Sequence, residues 1–253
     1  MNTKFITLLM GMLLLFSCHS SEEKPSKLRI GQFMFTDLPV EITFTKKGKP
    51  SLQQQMKYTE LSDYQPINSG TYTVEVKAEN QLLLKKKIGI GTSGVYTLML
   101  YGILQENPTT NEKTTKTKLH EIVEGEEATT PNGNLPQLKV LNDEFECGKD
   151  EAKIRWVHLA AGVEEISAEV FSNQETITKK LPSLTYPKLS QTKALSTFQY
   201  SVNWKLKGSK VNVAQEQLTI ESQKLYTCFV VGIEGKYIDS LKVVTGETAK
   251  KKF

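Results

Sequence analysis

Histidine is nearly missing from this sequence, with three in 253 residues. His19 lies close to the N-terminus, which leaves His120 and His158 for the part of the chain that folds. A serine or cysteine nucleophile needs a positioned histidine as its base, and no Gly-x-Ser-x-Gly elbow stands in the chain. Zinc chemistry wants His and Cys clustered at ligand spacing, and here they are scattered. An excess of one charge is missing too. The chain carries 32 basic and 28 acidic residues, and no arginine-rich stripe, so nucleic acid is not an expected partner. No apolar run reaches the ~20 residues that cross a bilayer as a helix. A Gly-x-Gly-x-x-Gly string does occur, at Gly89, Gly91 and Gly94. It is followed by Val-Tyr-Thr-Leu-Met-Leu, a strand pattern, where dinucleotide binding needs a helix N-terminus. No catalytic residue, metal or cofactor is therefore expected, and the chain is read as a protein without enzymatic activity.

What is present begins at the N-terminus. Lys4 supplies a short positive start, and Phe5 to Phe16 form one apolar run of signal-peptide length. Leu15-Phe16-Ser17-Cys18 resembles the lipobox of bacterial lipoproteins, with a branched apolar residue three before Cys and a small one just before it. The resemblance implies that residues 1–17 are removed and that Cys18 becomes a diacylated first residue. Residues 18–26 then read as a polar, lipidated tether. Glu22 and Glu23 resemble the acidic export signal of some Gram-negative surface lipoproteins. The expected location is the cell envelope, as an outer-membrane lipoprotein facing the periplasm or the surface. Removing residues 1–17 takes away Lys4 alone, leaving 31 basic against 28 acidic residues, or +3.

The chain repeats itself. Ile88–Gly102 aligns without a gap to Leu218–Gly232, sharing a Tyr-Thr pair, alternating apolar residues and a final Gly. Tyr72-Thr-Val-Glu-Val76 matches Tyr200-Ser-Val-Asn-Trp204, and Leu28–Gln32 matches Ile154–His158. Downstream, Leu138–Leu141 is matched to Leu241–Val244. Four blocks in one order define two copies of a module. Each block is read as a half-buried strand with a period of two. Short strands split by Gly, Pro, Asn and Ser predict an all-β fold of two tandem antiparallel Ig-like β-sandwich modules. The first spans residues 27–145 and carries a polar loop insertion at 105–134; the second spans residues 146–253. A chain starting near Lys149 is expected to fold alone.

Ile154-Arg-Trp-Val-His158, Ser69-Gly-Thr-Tyr-Thr-Val-Glu-Val76 and the two Tyr-Thr-x-x-x-x-Gly strands resemble the domain of unknown function 4397 family. That resemblance covers Lys27 to Val244 and implies paired β-sandwich modules in an exported protein with no known activity. Two departures stand out. Gln32 occupies the place of His158, and Phe198 the place of Gly70.

Two candidate sites remain. Asp143, Glu144, Glu146, Asp150 and Glu151 crowd the joint between the copies, where hard oxygen ligands suit calcium and a solvated acidic linker is the plainer alternative. Cys147 and Cys228 are the two cysteines besides Cys18; Cys228 aligns with Leu98 and so points inward. They are candidates for a disulfide, with two separate thiols as the alternative. The functional expectation is a non-catalytic, membrane-anchored lipoprotein acting in binding or surface assembly, through a surface protein or glycan. An exported polysaccharide hydrolase and a purely structural spacer are the alternatives, because paired-carboxylate chemistry depends on spacing in space and not in sequence.

Overall fold

The computed structural model describes residues 24–104, 135–163, 165–172, 177–233 and 241–250. Cys18, His120 and the insertion at 105–134 lie outside the described residues. Those described form sixteen strands and no helix. The first module contains β1 (Ser26–Phe35), β2 (Val40–Lys46), β3 (Lys49–Met56), β4 (Gln65–Ile67), β5 (Gly70–Ala78), β6 (Gln81–Ile90), β7 (Val95–Ile103) and β8 (Gln137–Asn142). The second repeats the set as β9 (Ala152–Ala161), β10 (Ile166–Ser172), β11 (Ile177–Leu184), β12 (Lys193–Leu195), β13 (Gln199–Leu206), β14 (Asn212–Thr219), β15 (Lys224–Ile233) and β16 (Lys242–Ala249). Each module is a sandwich of two four-stranded sheets. The orders are β4-β1-β7-β8 against β3-β2-β5-β6, and β12-β9-β15-β16 against β11-β10-β13-β14. The predicted all-β tandem sandwich is the observed fold. Pairing is antiparallel except between β1 and β7 and between β9 and β15, which run parallel.

The outer sheets behave as half-buried strands should. In β5 the side chains of Tyr72, Val74 and Val76 enter the core, and those of Thr73, Glu75 and Lys77 face outward. The edge strands β6 and β14 each turn one charge inward at the same position, Lys86 and Glu216, beside Val74 and Val202. Lys86 Nζ donates to the Leu138 carbonyl at 3.2 Å, and burial raises the pKa of Glu216 above its ordinary value. An inward charge on an edge strand discourages pairing with a further chain.

The inner sheets break the half-buried expectation. Leu28, Ile30 and Met34 of β1 enter their own module's core, while Phe33 on the opposite face enters a third cluster. That cluster joins Phe33, Met99, Tyr101 and Leu141 to Val157, Leu159, Phe229 and Val231 of the other module. Strands covered on both faces lose their polar side and read as continuous apolar runs. The two inner sheets therefore face each other, and Phe33 stacks on Phe229 with ring centroids 4.5 Å apart.

Strand registers test the repeat residue by residue. Arg29 lies opposite Thr97, and Arg155 opposite Thr227, as the alignment of Leu28 with Ile154 requires. Tyr72 lies opposite Ile88, and Tyr200 opposite Leu218, again as aligned. The last block differs. Leu100 pairs with Leu138, and Val230 with Val243, so Leu138 is equivalent to Val243 and not to Leu241. A slip of two residues keeps the same side chains inward, so the apolar pattern cannot reveal it. The repeat-ending glycines have a backbone reason: Gly102 and Gly232 take φ of +111° and +148°, which side chains resist.

Candidate functional site at the seam between the modules

The Tyr-Thr pair of the repeat places Thr97 and Thr227 beside an arginine in each copy. Arg29 Nε donates to Thr97 Oγ1 at 2.8 Å, and Arg155 Nε to Thr227 Oγ1 at 3.0 Å. The rest of each guanidinium crosses the seam. Arg29 Nη1 donates to the Glu247 carbonyl at 2.9 Å, and Arg155 Nη1 to the Asn142 carbonyl at 2.8 Å. Asn142 and Glu247 are equivalent positions, opposite Tyr96 and Tyr226. Each module thus grips the last strand of the other through the same contact. That is the self-complementary pattern of a twofold interface, here within one chain.

The symmetry breaks one residue further on. Arg155 Nη2 bonds Asp143 Oδ1 in a buried ion pair, whereas Arg29 Nη2 meets Thr248 Oγ1 at 3.4 Å and stays 3.9 Å from Asp143 Oδ2. Asp143 is fully buried and also accepts the hydroxyls of Thr97 and Tyr64, the latter at 2.7 Å. Because Tyr64 spends its proton on Asp143, the 2.7 Å contact between Tyr64 and Thr248 is donated by Thr248. The ring of Tyr64 lies 4.6 Å from the guanidinium carbon of Arg29, a cation–π contact. Desolvation lowers the pKa of Arg155, against the pull of Asp143. Burial, and then Asp143, raise that of Tyr64 well above the ordinary phenol. Two cations and one anion are buried together.

The acids of the joint do not converge on one point. Asp143 turns inward to the arginines, Glu146 lies 3.5 Å from Lys250, and Glu151 accepts the Gly148 amide at 3.1 Å. Glu144, Asp150 and Glu151 are exposed, and no cluster of metal-ligating side chains forms among the described residues. The disulfide is not formed either: Cys147 and Cys228 are free thiols. Cys228 sits mid-strand in the core opposite Thr245. The Cys147 carbonyl is held by Lys250, just past the end of β16, the strand of Thr245, at 3.0 Å. Burial pushes the Cys228 thiol up to about 12, which leaves it inert. Thiol labelling of native chain is expected to modify Cys147 and spare Cys228, and denatured, non-reduced chain should take up both labels. Denatured chain that labels at neither would restore the bond.

Gln32 and His158 turn out to do one job. Gln32 Oε1 accepts the Met34 amide at 3.0 Å, and His158 Nδ1 the Ala160 amide at 3.3 Å. His158 is buried beside Trp156 and Tyr186. The Gly89–Gly94 segment forms the end of β6 and a turn into β7, so no helix follows it. The Ser26 hydroxyl accepts the Gly94 amide and donates to the Gly91 carbonyl, which ties the turn to β1.

Above Tyr64 and Thr248 the seam opens as a groove of 540 Å³, between Lys24, Lys27 and the Ser93-Gly94 turn on one side and Lys250 on the other. A smaller cavity of 260 Å³ continues past Val95 and Ala249 to Glu144 and Glu146.

No family model matches the chain, and no curated protein matches it. Among solved structures it is similar to a family 26 carbohydrate-binding module of Eubacterium rectale Amy13K, solved with maltoheptaose. Identity is 11%, with 88% of this chain and 97% of that one covered, at a TM-score of 0.26. A candidate cell adhesion protein of Bacteroides ovatus is 8% identical over 91% of this chain and 99% of that one, with a TM-score of 0.24. The TIE protein of Bacillus anthracis is 13% identical over 83% of this chain, at a TM-score of 0.24. The chain spans 34% of that protein's length, and 24% of a leucine-rich repeat protein of Bacteroides thetaiotaomicron.

Proposed function

We propose that this protein is a non-catalytic, membrane-anchored component of the cell envelope that binds or assembles with a surface protein or glycan. The observation that carries the reading is the seam. Phe33, Phe229 and the crossed arginines hold two sandwiches as one unit, a rigid scaffold of the kind on which loops serve as contact surfaces. The side chains that would draw attention as chemistry serve packing instead: Asp143 binds the two arginines, and His158 caps a backbone amide. The lipobox at Cys18 and the resemblance to the domain of unknown function 4397 family support the exported, anchored part of the reading.

Cys18→Ser is expected to abolish acylation and leave the precursor uncleaved, read by detergent-phase partitioning with intact mass. Wild-type protein recovered soluble with no acyl mass would remove the anchor from the proposal. Affinity capture from solubilised membranes should then retain one surface protein or glycan. Release of reducing ends from a polysaccharide would favour the hydrolase alternative.

A further inference from the structure

The seam groove has a property that the binding reading does not use. Three lysines, Lys24, Lys27 and Lys250, line it, and no carboxylate does. Lys250 pairs with Glu146 at 3.5 Å and donates to the Cys147 carbonyl at 3.0 Å, whereas Lys24 and Lys27 form no ion pair among the described residues. Below the groove, the Tyr64 ring separates it from Arg29, a buried cation that must share Asp143 with Arg155. Positive charge at the rim and beneath the floor reinforces itself in a concave, partly desolvated site. Clefts between modules are also common places for ligands.

Position narrows the ligand. Lys24 is six residues from Cys18, a reach of about 20 Å when extended. On the anchored reading above, on which this inference rests, the groove therefore opens within reach of the membrane surface. We propose that the groove between Lys24, Lys27 and Lys250 holds the phosphate of an anionic phospholipid headgroup, so that the lipid tether and the seam engage one membrane together. On the same wall the Ser93 hydroxyl donates to the Lys24 carbonyl at 3.3 Å, which fixes Lys24 against the turn.

A chain beginning at His19 keeps every described residue and carries no lipid, so binding is read independently of anchoring. It should cosediment with phosphatidylglycerol vesicles and not with phosphatidylcholine vesicles, more weakly as salt rises. Each of Lys24→Gln and Lys27→Gln, both exposed positions, should weaken binding about fivefold. Equal binding to both vesicles, or unchanged binding by the double variant, overturns the proposal. Inorganic phosphate separates the sources. If phosphate shifts the Ser93, Gly94 and Thr248 amide resonances while no vesicle is bound, the groove recognises a soluble phosphate and the headgroup assignment falls. Absence of acyl mass on the wild-type chain would overturn the anchor alone, leaving the vesicle result to stand or fall by itself.

Discussion

Asp143→Ala should cost about 3–5 kcal/mol of stability, the range for removing one partner of a buried ion pair. The carboxylate accepts from Arg155, Thr97 and Tyr64 and lies 3.9 Å from Arg29. Without it, two guanidinium groups remain buried on the seam with no counter-ion. Arg155→Met is expected to cost less. It removes one of the two cations along with its hydrogen bonds, and leaves Arg29 alone with Asp143. Urea denaturation measures both. A loss below about 1 kcal/mol for Asp143→Ala would mean that water enters the seam and screens the arginines, as at an exposed pair. Because the cluster lies between the modules, amide exchange should rise first in β8 and β16, before the two outer sheets respond.

The signal for this cluster was in the sequence, though not as a motif. The chain has only two arginines among its 32 basic residues, Arg29 and Arg155, and they fall at equivalent places in the two copies. A chain that uses lysine elsewhere and keeps arginine twice, inside apolar strands, needs the planar fork that lysine lacks. Each fork here spans a threonine on the neighbouring strand and a carbonyl on the other module. The strands themselves were legible because Tyr72, Val74 and Val76 alternate with polar residues. Two things were not. Burial of β1, β7, β9 and β15 on both faces removes the alternation that would reveal which face meets what, so the seam reads only as extra hydrophobicity. Asp143 was hidden among four other acids, because the feature that sets it apart, two arginines brought from residues 29 and 155, exists only after folding. Its counterpart Thr248 gave no hint either, since the last block aligns two residues away from its apparent match.

The second module by itself, from Lys149 onward, should fold but not remain a stable monomer. Its own core is complete: Trp156, Val202, Trp204, Cys228 and Val230 lie in one cluster that takes nothing from the first module. This predicts a β-rich spectrum and a cooperative melt. The other face of its inner sheet is a different matter. Val157, Leu159, Phe229 and Val231 are covered by Phe33, Met99, Tyr101 and Leu141 in the whole chain, and would stand in water once those are gone. Burial of each such side chain is worth about 1.5–3 kcal/mol, less whatever compaction the unfolded chain retains. A patch of four should be relieved by self-association, and the twofold pattern of the seam supplies a ready geometry: Arg155 of one copy can reach the Glu247 carbonyl of another, as Arg29 does within the chain. Sedimentation should therefore find a dimer that melts below the intact protein. Replacing Val157 and Phe229 by glutamine separates the two roles of that face. In the isolated module the double substitution should give monomers, because neither side chain belongs to its own core. In the whole chain the same pair should destabilise by several kcal/mol, because polar amides would then be buried against Phe33 and Met99. A wild-type isolated module that is monodisperse, monomeric and as heat-stable as the intact chain would show that the seam contributes contact without stability.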